Sequence, residues 1–166
     1  MSISIIIPTF FEDKISNTLD KVFSFFLDKG ETQVQVIVVD DSPSDYFSIL
    51  LEYRDRHLER NLQVVSGDRS GKGGAVKKGA MLAQGEVVFF MDADLPISLE
   101  NIPIFFGYIK KGNFDVVIGE RLPEGRHRDA IRKVLSFLLS VLQRFFIFNS
   151  SFFSDTQCGF KAFRKD

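Results

Sequence analysis

Asp92-Ala93-Asp94 follows the apolar run Val87-Val88-Phe89-Phe90-Met91 without a break. Two carboxylates one residue apart at a strand end reach one small region when the chain turns there. Their hard oxygens suit Mg²⁺ or Mn²⁺, which takes one or two carboxylates and fills its shell with water or substrate phosphate. The same residues also fit a solvated turn in which Asp94 caps the helix ahead, with Pro96 as a common turn residue. A second acidic pair, Asp40-Asp41, closes the run Val34 to Val39 and is followed by Ser42. A carboxylate in that place can accept a hydrogen bond from a ribose or a base edge. An Asx turn is the structural alternative.

Two cationic stretches complete the chemistry. Gly71-Lys72-Gly73-Gly74-Ala75-Val76-Lys77-Lys78-Gly79 opens a helix with glycines and ammonium groups. Glycine-rich turns at helix N-termini present free N–H groups to anions. The spacing is neither that of a Walker loop nor that of the dinucleotide fingerprint. A flexible start to a surface helix, with Lys77 and Lys78 solvated, is the plain alternative. Further on, Arg121, Arg126, His127, Arg128, Arg132 and Lys133 lie close together. Arginine suits bidentate phosphate binding, whereas most such runs are solvated loops.

These groups need a scaffold that brings them to one edge. Ile3 to Ile7, Val34 to Val39, Leu62 to Val65, Glu86 to Met91, Phe114 to Ile118 and Gly159 to Phe163 read as strands. Lys14 to Lys29, Tyr46 to Glu59, Gly74 to Gln84 and Ala130 to Phe148 read as helices, as does a segment capped by Ser98 and running to Lys110. Continuous Val/Ile/Phe runs joined by helices predict a doubly wound α/β fold: a mostly parallel sheet with helices on both faces. Ligands bind such a sheet at the carboxyl ends of its strands. Pro8-Thr9, Asp40-Asp41, Asp92 to Asp94 and Gly119-Glu120-Arg121 all fall there. Four acidic groups on one edge repel one another unless a cation or a hydrogen-bonding ligand joins them. Pro123 to Asp129 is the expected mobile loop.

Composition sets the outer limits. A chain of 166 residues has room for one domain with a full core. Lys+Arg 21 against Asp+Glu 22 gives −1, without the basic footprint of a general nucleic-acid binder. One Cys excludes a disulfide framework, and two His make a zinc site improbable. No secretory leader is read at the start, and no run of about 18 apolar residues would span a bilayer. The 19 Phe require a large core or an apolar surface with another purpose. Val134 to Phe148 carries polar side chains only at Ser136, Ser140, Gln143 and Arg144, one narrow stripe of a helix. One side of that helix packs on the sheet, and the remainder meets a membrane surface, a partner or a further piece of the same chain, unless the whole helix is buried in the core.

The order of these pieces is more specific than any one of them. Ile5-Ile6-Ile7-Pro8-Thr9-Phe10 with Glu12 resembles the opening of family-two glycosyltransferases of the Rossmann-like, nucleotide-sugar-binding GT-A fold. Asp40-Asp41-Ser42, Gly71 to Val76 and Asp92-Ala93-Asp94 occur in that family's order and spacing. Asp155-Thr156-Gln157-Cys158-Gly159-Phe160-Lys161 resembles the polyprenyl-phosphate branch, and the wording is similar to dolichyl-phosphate β-glucosyltransferases. The resemblance runs from residue 3 to residue 164.

What the resemblance implies is an inverting transfer of a sugar from a nucleotide diphosphate to a polyprenyl phosphate. UDP-glucose is the first expected donor and GDP-mannose the second, with Mg²⁺ or Mn²⁺ as cofactor. By match to the family motif, Pro8, Thr9, Glu12, Asp40 and Asp41 hold the nucleoside, and Lys72 lies near the nucleotide. Asp92 sits between ribose and metal, and Asp94 is the main metal ligand. Arg121 meets the acceptor phosphate. Arg128 and Arg132 compete for a second phosphate-binding role, and Asp155 and Gln157 border the acceptor site. Leu95 departs from the pattern where a further metal ligand could stand. Members of the branch usually continue with membrane-associated helices. The expectation is therefore one catalytic domain, residues 1–166, shortened at its C-terminus and peripheral at the cytoplasmic face of a membrane. A haloacid-dehalogenase or receiver-type domain would carry its acidic pair after the first strand, where this chain has Pro8-Thr9. A nucleotide-sugar-binding or membrane-docking module without turnover is the non-enzymatic alternative.

Overall fold

The computed structural model describes residues 2–31, 34–112, 114–120 and 158–165. Contacts divide the chain into one unit of Met1–Ile118 with Gly159–Asp166 and another of Gly119–Cys158. Every element named below belongs to the first. The helix expected over Ala130 to Phe148 and the loop expected over Pro123 to Asp129 lie outside the described residues.

Six strands form one sheet: β1 (Ile3–Thr9), β2 (Gln35–Asp40), β3 (Leu62–Ser66), β4 (Val87–Met91), β5 (Val116–Ile118) and β6 (Phe160–Arg164). Their order is β3-β2-β1-β4-β6-β5. β1 runs parallel to β2 and β4, and β2 runs parallel to β3. β6 is antiparallel to both β4 and β5. The chain steps outward from β1 to β3 and then returns to the other side of β1 with β4. The sheet therefore has its switch point between β1 and β4, and a crevice opens at their carboxyl ends.

Among the described residues four helices accompany the sheet: α1 (Ile15–Asp28), α2 (Ser44–Arg56), α3 (Gly71–Leu82) and α4 (Ile102–Lys111). α1 buries Ile15, Thr18, Leu19, Val22 and Phe26, a stripe of helical period. It stops at Gly30, whose φ of 70° suits a residue without a Cβ. Gly30 N–H donates to Leu27 O at 2.9 Å and Glu31 N–H to Phe26 O at 2.9 Å, which satisfies the last carbonyls. The helix expected from Ser98 is instead a 3₁₀ turn, Leu99–Asn101, followed by α4. Ser98 Oγ accepts from Glu100 N–H at 3.3 Å and so caps the short turn.

The two sheet faces follow from alternation along the strands. Ile6, Ile37, Val39 and Val88 pack with Ala75 and Ala83 on one face, against α3. On the other face Phe89 meets Phe105 of α4 and Phe160 of β6, with ring centroids 6.4 and 6.0 Å apart. Helices thus cover both faces. α3 is rich in glycine and a poor helix former on its own. A Cβ on Gly79 would lie 2.5 Å from Ile6 Cγ2, so glycine lets this helix settle close against β1.

Candidate active site at the switch point

At the end of β1 the chain turns through Phe10 and Phe11, the latter with φ 51°. The β1–β2 register places Thr9 beside Asp40. Thr9 Oγ1 and Ser42 Oγ each donate to Asp40 Oδ1 at 2.8 Å. Phe11 N–H in turn donates to Ser42 Oγ at 2.7 Å. Asp40 is 2% exposed, and its Oδ2 has no hydrogen-bond partner. A buried carboxylate oxygen without a donor is costly. Asp40 thus braces the end of β1 from beneath and keeps one open acceptor.

Asp41 lies one residue on and reaches the crevice itself. Its Oδ1 accepts from Arg69 N–H at 2.9 Å. That bond folds the segment between β3 and α3 against the end of β2. A Cβ at Gly67 would lie 1.9 Å from the same Oδ1, so a side chain there would push the Asp41 carboxylate aside. Arg69 (φ 53°) and Gly71 (φ 76°) both take left-handed backbone, which turns the chain into α3.

At the end of β4, Asp92 N–H donates to Gly159 O at 2.8 Å, and Leu95 N–H donates to Asp92 O at 3.0 Å. Thr18 of α1 donates its hydroxyl to Ala93 O at 2.6 Å. These bonds double the chain back at Asp92-Ala93-Asp94 and bring both carboxylates to the crevice. The Asp92 carboxylate occupies the space that a Cβ on Gly159 would fill, 1.8 Å from Oδ2. Lys72 of α3 reaches across, its Nζ 2.6 Å from Asp92 Oδ1 and 2.8 Å from Oδ2. The same ammonium lies 5.2 Å from the centre of the Phe90 ring, and Lys161 of β6 lies 5.3 Å from it.

The result is a cavity of about 830 Å³. β1 and its turn contribute Pro8, Thr9, Phe10, Phe11 and Glu12 to it, and the end of β2 contributes Asp41 and Pro43. Arg69, Gly71, Lys72 and Ala75 line the side of α3, and Asp92, Ala93 and Asp94 line the side of β4. Of the expected site residues, Pro8, Thr9, Glu12, Asp41, Lys72, Asp92 and Asp94 meet here, while Asp40 lies just below. Arg121, Arg128, Arg132, Asp155 and Gln157 are outside the described residues. Some contributors escaped the sequence reading, Arg69 and Gly67 among them. Arg69 stands two residues before the glycine-rich stretch, and its neighbourhood to that stretch was the available signal. Gly67 acts by lacking a side chain, and no local pattern announces that. Gly159 lies in the Asp155–Lys161 stretch that carries the resemblance, but the room it leaves for the Asp92 carboxylate was not read there.

Among the described residues no group of three or more His, Cys, Asp or Glu could hold a metal ion. Asp92 and Asp94 nonetheless fit a hard divalent cation, which takes one or two carboxylates and leaves the other positions to water and phosphate. The Lys72 ammonium on both Asp92 oxygens shows that positive charge is favoured at this spot.

Residues 4–165 match the family described as Glycosyl transferase family 2, and the chain belongs to that family. It is 30% identical over 179 residues to a dolichyl-phosphate beta-glucosyltransferase of Trichomonas vaginalis, covering 99% of this chain and 54% of that protein. The chain spans about half the length of the dolichyl-phosphate beta-glucosyltransferases it matches. Among solved structures it is similar to S. aureus TarS in complex with UDP-GlcNAc, with 27% identity and a TM-score of 0.55. That likeness covers 78% of this chain and 39% of that chain, which is residues 1–349 of TarS. Mannosyl-3-phosphoglycerate synthase from Rubrobacter xylanophilus matches with a TM-score of 0.70 at 20% identity, over 99% of this chain and 54% of that one. This second likeness is one of fold, the GT-A fold.

Proposed function

We propose that this chain is the donor-binding, catalytic part of an inverting glycosyltransferase that moves glucose from UDP-glucose to a polyprenyl phosphate. The observation that carries the reading is the cavity at the switch point. There Asp92, Asp94, Lys72 and the Pro8–Glu12 segment line one volume. The glucose and the polyprenyl phosphate are suggested by the dolichyl-phosphate beta-glucosyltransferase relative, and the uridine nucleotide by TarS. With such an acceptor, residues 1–166 work as one catalytic domain peripheral to the cytoplasmic face of a membrane. Among the described residues no helix is long and apolar enough to cross one.

In the reaction an oxygen of the lipid phosphate bonds to C1 of the hexose. C1 loses its bond to the diphosphate oxygen, and that electron pair leaves with the nucleoside diphosphate. Attack from the opposite side inverts the anomeric configuration. A phosphate monoester has its second pKa at about 6, so the acceptor is already a nucleophilic anion at neutral pH. No strong base is required, and His57, the only described histidine, does not line the cavity. Asp92 and Asp94 would hold Mg²⁺ or Mn²⁺, which supplies Lewis-acid stabilisation of the departing diphosphate. Lys72 and Arg69 would add positive charge beside that leaving group. Asp41 is fastened to Arg69 N–H and keeps the loop in place. Asp40 would support the nucleoside from below by bracing the turn, its Oδ1 bonded to Thr9 and Ser42.

Calorimetric titration with UDP-glucose and with GDP-mannose, each with and without Mn²⁺, tests this. Metal-dependent UDP-glucose binding that disappears in Asp94→Asn is the expected result, followed by transfer to polyprenyl phosphate. Preference for GDP-mannose would move the donor to the mannosyl branch. Binding by Asp94→Asn equal to that of the native chain would overturn the metal assignment.

A further inference from the structure

Lys72 stands where a cation bound to Asp92 would stand. Its Nζ reaches both carboxylate oxygens, at 2.6 and 2.8 Å. The two partners differ in how firmly they are held. Asp92 is fixed by its backbone bond to Gly159 O and by the space that Gly159 leaves free for its carboxylate. Lys72 is attached by a flexible four-carbon stem in the first turn of α3, and its side chain is 54% exposed. The ammonium is also steadied by the Phe90 face, 5.2 Å away.

We propose that Lys72 is an exchangeable place-holder for the metal. It neutralises Asp92 while the divalent ion is absent and moves to the diphosphate of the nucleotide when the ion arrives. This rests on the reading of Asp92 and Asp94 as metal ligands. Its consequence is a coupling between the two ligands. Lys72 competes with the metal until the nucleotide draws it away, so the diphosphate frees the carboxylate that the metal needs. By linkage the metal then favours the nucleotide by the same factor. An ion pair as exposed as this one is weak, so the competition is modest and readily reversed.

The test is a Mn²⁺ titration followed by the electron paramagnetic resonance signal of free Mn²⁺, with and without UDP. Native chain, Lys72→Met, Lys72→Arg and Asp94→Asn are compared. Without UDP, Lys72→Met binds Mn²⁺ more tightly than the native chain, by about 3- to 10-fold, because a competing charge is gone. Lys72→Arg stays near the native value. UDP tightens Mn²⁺ binding in the native chain by a factor about 3 to 10 times larger than in Lys72→Met, the competition that Lys72 no longer exerts. A lysine that merely supported the fold would weaken Mn²⁺ binding when replaced, and its loss would show in the thermal melt. Unchanged or weaker Mn²⁺ binding by Lys72→Met without UDP, with the melt intact, overturns the place-holder. Should the native chain bind UDP but no Mn²⁺, and Asp94→Asn behave identically, the metal reading itself fails and the place-holder with it.

Discussion

Gly159 and Asp92 belong together although 67 residues of sequence separate them. The carboxylate of Asp92 fills the place of the missing Cβ, so the glycine sets where the acid can stand. Gly159→Ala forces Asp92 off Lys72 and out of its position in the crevice. A displacement of about 1 Å in a positioning group costs on the order of 10²-fold in rate, and that is the loss of transfer expected here. Parallel measurement of the melt separates displacement from misfolding, since the variant keeps its β4–β6 pairing. Wild-type transfer by Gly159→Ala would show that Asp92 does not need this place. At this scale the sequence was informative about charge and silent about space. Asp92, Asp94 and Lys72 declare themselves by type and order. The contacts of Gly67 and Gly159 arise only when distant strands meet.

Among the elements, α1 and α2 are tied by a polar cluster away from the cavity. Tyr53 OH donates to Asp20 Oδ1 at 2.7 Å, and Arg60 donates to the same oxygen at 2.7 Å. Arg60 also bonds the Tyr53 hydroxyl and lies over the Phe23 ring. The hydrogen bond from Arg60, then that from Tyr53, holds the Asp20 carboxyl below its ordinary value of 3.8. Burial, and then the bond to Asp20, pushes the Tyr53 hydroxyl well above its ordinary value of 10.0. A carboxyl with a depressed folded pKa stabilises above its unfolded value and loses that contribution as pH falls through the folded one. Asp20→Asn therefore melts lower than the native chain at pH 7, and the two melts converge below pH 3.8. Melts followed by circular dichroism at both ends of that window check this; a constant gap across it would mean that charge is not involved. Nearly every element was legible from apolar runs and helical period. The start of α3 was read three residues late because glycine weakens the helical signal. The direction of β6 was not legible, since strand polarity depends on connections rather than on composition.

The molecule as a whole depends on aromatic packing across its sheet. Phe89 is fully buried between Phe105 and Phe160, which themselves meet at 5.0 Å. Phe89→Ala removes the common member of that trio and should cost about 3–5 kcal/mol. At roughly 2–4 °C per kcal/mol for a domain of this size, the melt drops by on the order of 10 °C. A drop of only a degree or two would mean that the face repacks. The sheet class followed from the sequence because buried strands and helices alternate so clearly. The insertion of β6 between β4 and β5 did not follow, because it pairs a late strand with two strands from the middle of the chain.

That insertion has a consequence for the chain while it is being made. β4 is buried along its whole length, yet its partner on one side is β6. Phe160 leaves the ribosome roughly 70 residues after Met91, which at ~5–20 residues per second takes roughly 4–14 s. For those seconds Val87–Met91, with Phe89 and Phe90 in it, presents a bare hydrogen-bonding edge, a template for pairing with another nascent chain. β5 waits in the same condition for a shorter time. A holding chaperone therefore has most to protect on this side of the sheet, and a synthesis stopped before Phe160 leaves a chain that has its nucleotide-facing half but an open, adhesive flank.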